Sequence, residues 1–184
     1  MIGYLGRLKK YKSVDHLIDA FPRIREKIPE ASLLIVGDGD YLPELKAKVD
    51  EMGLNDLVEF AGFVSPEKKV ELLQKCWVVV NPSAKEGWGL TVVESNACGT
   101  PVVASNVPGL RDAVVDGKTG LLFEYANIDD ITEKTVEVLQ NKEIRDSLTE
   151  EGLKWAASFD WRIAAQKTLD IIYNEIDKHN GQKI

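Results

Sequence analysis

The sequence predicts an α/β fold in which about six parallel strands form a doubly wound sheet with helices on both faces. Two observations lead there. Short runs rich in Val, Ile and Leu recur with little polar alternation, as parallel strands buried on both faces require. Longer stretches with apolar residues at three- and four-residue steps separate them, and such alternation implies right-handed crossover units. At 184 residues the chain fits one large domain spanning positions 1–184.

The expected strands are Ile2–Leu5, Ser32–Val36, Val58–Ala61, Trp77–Val80, Val102–Ala104 and Gly120–Phe123. Helical periodicity opens with Val14, Leu17, Ile18, Phe21, Ile24 and Ile28. Ser13 is placed as its N-cap, and Pro22 is expected to kink or split it. Leu42–Met52 stops at Gly53, a usual helix terminator. Pro66–Gln74 follows Ser65, with proline at the first helical position. Leu90–Ala97 is short, whereas Ile128–Gln140, Ile144–Ser158 and Trp161–Asp177 are longer. In the last of these, Ala164, Ala165, Leu169, Ile172 and Ile176 form an apolar stripe that needs cover. The expectation is that it folds back on its own sheet or drives self-association. Trp77 and Cys98 are expected in the core, Trp161 against the start of the final helix, and His16 and His179 at the surface.

Composition narrows the function. The formal net charge of −7 is unfavourable for nucleic-acid binding, which draws its affinity from lysine and arginine at phosphates. A small anionic ligand stays compatible, because a local pocket can be positive on an acidic protein. Cys76 and Cys98 have no second cysteine or histidine near either, so they read as small hydrophobes and no metal site is expected. Asp112 and Asp116 read as turn and cap residues. No secretory leader or membrane span is visible, so a cytoplasmic setting is expected, with peripheral association at a membrane surface left open.

Sheets of this kind bind ligands outside the carboxyl ends of their strands. Gly6-Arg7-Leu8 closes the first strand, and Lys12 follows. Arg7 can make a forked contact with a diphosphate while Lys12 supplies a point charge. A solvated basic loop is an equal reading of these residues alone. After the fourth strand, Glu86 and Glu94 flank Gly87 and Gly89 where a helix begins. The unpaired N–H groups of a helix start form an anion site. That site comes within reach of Arg7 and Lys12 if the first and fourth strands are neighbours. Glu94 could then accept from ribose hydroxyls, and Glu86 could address a sugar. An ordinary glycine-rich loop before a helix has the same spacing.

The stretch from Lys85 through Glu94 to Ser105, KEGWGLTVVESNACGTPVVAS, resembles the signature of the group 1 (family 4) retaining glycosyltransferases. Gly6-Arg7-Leu8 with Lys12, Val36-Gly37-Asp38-Gly39, Phe60-Ala61-Gly62-Phe63-Val64, Val107-Pro108-Gly109-Leu110-Arg111-Asp112, Asp116-Gly117-Lys118-Thr119-Gly120-Leu121-Leu122 and Phe159-Asp160-Trp161 fit the same family in order. The resemblance implies a Rossmann-like domain, one half of the two-domain GT-B architecture, that binds a nucleotide-diphospho-sugar (UDP or GDP sugar) without metal or other cofactor. Arg7, Lys12 and the amides of Gly89, Leu90 and Thr91 would hold the diphosphate. Glu94 would take the ribose, Phe63 and Val64 the base, and Glu86 with Gly87 and Trp88 the transferred hexose, Glu86 being the catalytic candidate. It further implies an N-terminal acceptor-binding domain, absent from this chain, toward which a closing helix at 159–178 would cross. Transfer to a glycan, lipid or other acceptor would be negligible without that domain. A non-catalytic nucleotide-sugar-binding or interaction module, or a sugar-nucleotide epimerase of the same fold, is the alternative.

Overall fold

The apolar runs line up side by side. A computed structural model describes residues 1–181, with strands β1 (Ile2–Leu5), β2 (Leu33–Val36), β3 (Val58–Gly62), β4 (Val78–Asn81), β5 (Val102–Ser105) and β6 (Leu121–Phe123). They form one six-stranded sheet in the order β3-β2-β1-β4-β5-β6, every pairing parallel. Helices α1 (Val14–Lys27), α2 (Leu42–Glu51), α3 (Pro66–Lys75), α4 (Leu90–Ala97), α5 (Leu110–Ala113), α6 (Ile128–Gln140), α7 (Lys142–Ala157) and α8 (Trp161–Gly181) connect or follow them. The doubly wound, Rossmann-like α/β fold is as expected.

Successive strand residues point to opposite faces, so each strand feeds two cores. Ile2, Tyr4, Leu33, Ile35, Val78, Val80 and Val103 pack beneath α1, α2 and α6. Leu5, Leu34, Val36, Val79, Val102 and Ala104 meet α3, α4 and α5 on the other side. This double burial explains the near-continuous hydrophobicity of the strands.

Some local expectations change. Pro22 does not split its helix: α1 is continuous because Leu17, Ile18, Phe21 and Ile24 anchor both turns around it with no exposed surface. Ser13 sits at the N-cap position in the left-handed region (φ 51°) and makes no capping bond. A 3-10 turn over Lys10–Lys12 reverses the chain there, and the Ser13 hydroxyl pairs with the Tyr125 hydroxyl instead. Ser65 does cap α3, accepting from the Lys68 amide. Trp77 is 53% exposed, not core, because β4 begins one residue later and leaves its ring under the Arg145 guanidinium, 4.5 Å away. Trp161 is 85% exposed, and Phe159 does the packing expected of it. His16 is half-buried against the Tyr125 ring, while His179 is exposed. Cys76 is buried, which pushes its thiol up to about 11, and Cys98 is half-buried.

The final helix does not fold back on the sheet. Leu169, Ile171, Ile172, Tyr173 and Ile176 are all exposed along it. Among the described residues no helix is long and apolar enough to cross a membrane. By contrast, α7 presses closely on α4: a side chain at Gly152 would meet Asn96 Oδ1 of α4 at 2.9 Å. We expect Gly152→Ala to destabilise the domain by about 1–3 kcal/mol through overpacking. Adding Asn96→Ala should recover much of that loss, a coupling that denaturant melts of the double-mutant cycle measure.

Candidate functional site

The sheet order reverses direction between β1 and β4, and the loops leaving the strand carboxyl ends converge beside that point. The first such loop, Gly6-Arg7-Leu8, hydrogen-bonds the one after β2 through Gly6 N to Val36 O and Leu8 N to Asp38 O. Their backbones lie so close that a Cβ at Gly37 would stand 1.8 Å from the Gly6 carbonyl oxygen. Only glycine permits this approach, which opens the floor of a cleft of about 300 Å³.

Arg7, Gly37, Asp38, Phe63, Val64, Thr91 and Glu94 line that cleft. Five segments thus deliver residues to one concavity: the loop after β1, the loop after β2, the turn after β3, the start of α3 and the first two turns of α4. Phe63 is 88% exposed at the mouth. Tyr4, fully buried below, donates its phenol proton to the Arg7 carbonyl oxygen at 3.1 Å. Burial, reinforced by the charge of Glu86, pushes that phenol well above the usual tyrosine range.

Helix α4 starts at Gly89, left-handed at φ 80°. The first intrahelical donor is Val92 N to Gly89 O, so the Leu90 and Thr91 amides precede the ladder and remain available to an anion. Glu94 lies one turn further along, with Oε1 accepting from Lys69 Nζ at 2.7 Å. Lys69 of α3 also lines the cleft; its place in an amphipathic helix offered no signal by which sequence reasoning could single it out.

Lys12 and Glu86 stand beside the cleft as an ion pair, Lys12 Nζ donating to Glu86 Oε1, with side chains only 10% and 14% exposed. The Ser83 hydroxyl lies 3.0 Å from that same carboxylate oxygen and 2.7 Å from Asn81 Oδ1, and its single proton serves one of them at a time. Asn81 Nδ2 then donates to Thr91 Oγ1 at 3.3 Å, linking the pair to the start of α4. The two charges expected to serve different parts of a ligand therefore neutralise each other in the free chain.

Gly87 is exposed, and Leu90 is 64% exposed. The Trp88 ring is half-buried in the α4-side core, 4.6 Å edge-to-face from Phe159. Phe159 in turn meets Trp155, whose indole N–H donates to Ala113 O at 2.9 Å. Helix α5, absent from the sequence reading because it is four residues long, ends at that Ala113. Gly109 before it packs so tightly that a Cβ would stand 2.3 Å from Glu86 O. Asp116 is a turn residue, accepting from Leu122 N. Among the described residues no group of three His, Cys, Asp or Glu could hold a metal ion.

Removing one member of a nearly buried ion pair leaves its partner uncompensated. Lys12→Met should therefore cost about 3 kcal/mol of stability by chemical denaturation, and Lys12→Met with Glu86→Gln should cost clearly less. Equal losses in the two variants would show that the pair is solvated.

Comparison with known proteins gives a consistent result. Residues 1–155 match the family model described as glycosyl transferases group 1. An uncharacterised glycosyltransferase of Methanocaldococcus jannaschii is 35% identical over 158 residues, covering 86% of this chain and 43% of that protein. The Anabaena protein HepE, solved in complex with UDP, superposes with a TM-score of 0.85 at 26% identity, covering 94% of this chain and 48% of its own. The C-terminal domain of a group 1 glycosyl transferase (LpcC) of Francisella tularensis superposes at 0.76 with 26% identity, covering 86% of this chain and 84% of that one. The chain spans somewhat less than half the length of the first two.

Proposed function

The chain belongs to the group 1 glycosyl transferases, and on that premise we propose that it is the donor-binding, C-terminal domain of a retaining hexosyltransferase. The observation that carries this reading is the meeting of a guanidinium, free helix amides, a carboxylate and an exposed aromatic ring in one cleft at the strand ends. That set matches a nucleoside diphosphate sugar group by group. Arg7, Lys12 and the α4 amides take the diphosphate, Glu94 the ribose hydroxyls, and Phe63 with Val64 the base. The hexose then lies toward Glu86, Gly87 and Gly89. The complex of HepE with UDP supports a nucleoside diphosphate as the ligand class.

In such a transfer the bond between the anomeric carbon and the diphosphate oxygen breaks, and negative charge grows on the departing diphosphate. Fixed cations and helix amides stabilise that charge more in the transition state than in the ground state. Lys12 reaches this task only by sharing its ammonium between Glu86 and phosphate, so donor binding would loosen the ion pair and free Glu86 for the sugar. No metal is required in this scheme. The acceptor would be oriented by a second domain, and the chain alone would forfeit that proximity effect and show negligible transfer.

Calorimetric titration with UDP and GDP should show saturable binding. Arg7→Ala or Glu94→Ala should weaken it about ten- to a hundredfold, the loss of one charge-assisted contact. No binding of either diphosphate at millimolar concentration would remove the proposal.

A further inference from the structure

Lys69 lines the cleft without a part in the reading above, on which this inference rests. It sits one turn into α3, its amide bonded to the Ser65 carbonyl, and its ammonium engages Oε1 of Glu94. The side chains of Lys69 and Glu94 are 28% and 41% exposed. A pair this open contributes little to stability. What it does contribute is placement. A glutamate has several rotatable bonds, and a carboxylate in a cleft suited to a diphosphate is repelled by the ligand it should grip. The ammonium offsets that repulsion and anchors one oxygen. Among the described residues Oε2 accepts no hydrogen bond, so it is free for a ligand hydroxyl.

We infer that Lys69 is a positioning residue: it holds Glu94 ready for the vicinal hydroxyls of a ribose and thereby makes the cleft select ribonucleotides over their 2′,3′-dideoxy counterparts. Lys69 acts through Glu94, not on the ligand. The cost of its loss therefore falls mainly on the hydroxyl contacts, with a smaller loss for any diphosphate because the Glu94 charge is no longer offset.

The test compares the wild-type chain with Lys69→Met, Lys69→Arg and Glu94→Gln, each checked for folding by circular dichroism. Each is titrated with whichever of UDP and GDP the wild type binds, and with its 2′,3′-dideoxy counterpart. The wild type should prefer the ribo form by about tenfold, one charge-assisted contact. Lys69→Met should bring that ratio near one with little change in affinity for the dideoxy form, as should Glu94→Gln. Lys69→Arg should restore most of the preference. An equal weakening of both ligands by Lys69→Met, or an unchanged ratio, overturns the inference while leaving donor binding intact. A wild type that binds neither UDP nor GDP overturns the proposed function itself.

Discussion

Lys12 and Glu86 are 74 positions apart in the chain yet share a hydrogen bond in a nearly water-free setting. Neither charge could be held there alone, since an uncompensated ion out of water is costly. Their meeting requires β1 and β4 to be neighbours, which the strand order provides. It also requires the loop after β4 to fold back over the loop after β1, fixed by the Ala84 amide bonding to the Tyr11 carbonyl. Ser83 and Asn81 extend the contact to Thr91, so the first turn of α4 is registered against the same pair. Cations, carboxylate and helix amides thus occupy fixed relative positions before any ligand arrives.

The opposite side of this loop is held by packing. Trp88, Phe159 and Trp155 form an edge-to-face series, and Trp155 ties α7 to the end of α5. Helix α7 lies on α4 across Gly152. A short helix of eight residues has little stability of its own. Here it is clamped by α5 and α7, which lets it begin at a left-handed glycine and aim its amides at one place.

The strands and long helices could be read from the chain because double burial and amphipathic burial leave strong periodic patterns. Arg7, Phe63, Val64, Thr91 and Glu94 were legible through the family resemblance, and their gathering in one cleft follows from the parallel topology. What escaped the sequence depends on contacts between distant segments. The left-handed Ser13 is set by the 3-10 turn before it and the Tyr125 hydroxyl far away. The exposure of Trp77 and Trp161 reflects their places at a strand entrance and a helix entrance, where hydrophobicity alone argues for burial. Helix α5 is too short to show a period. Lys69 looks like any solvent-facing lysine until α3 and α4 are set side by side.

The phenol of Tyr4 adds a chemical constraint beneath all this. Buried and held from ionising by desolvation and the nearby Glu86 charge, it keeps its hydrogen at neutral pH. It can therefore neither accept a proton from a reacting group nor switch with cellular pH. It behaves as a neutral peg under the Arg7 backbone.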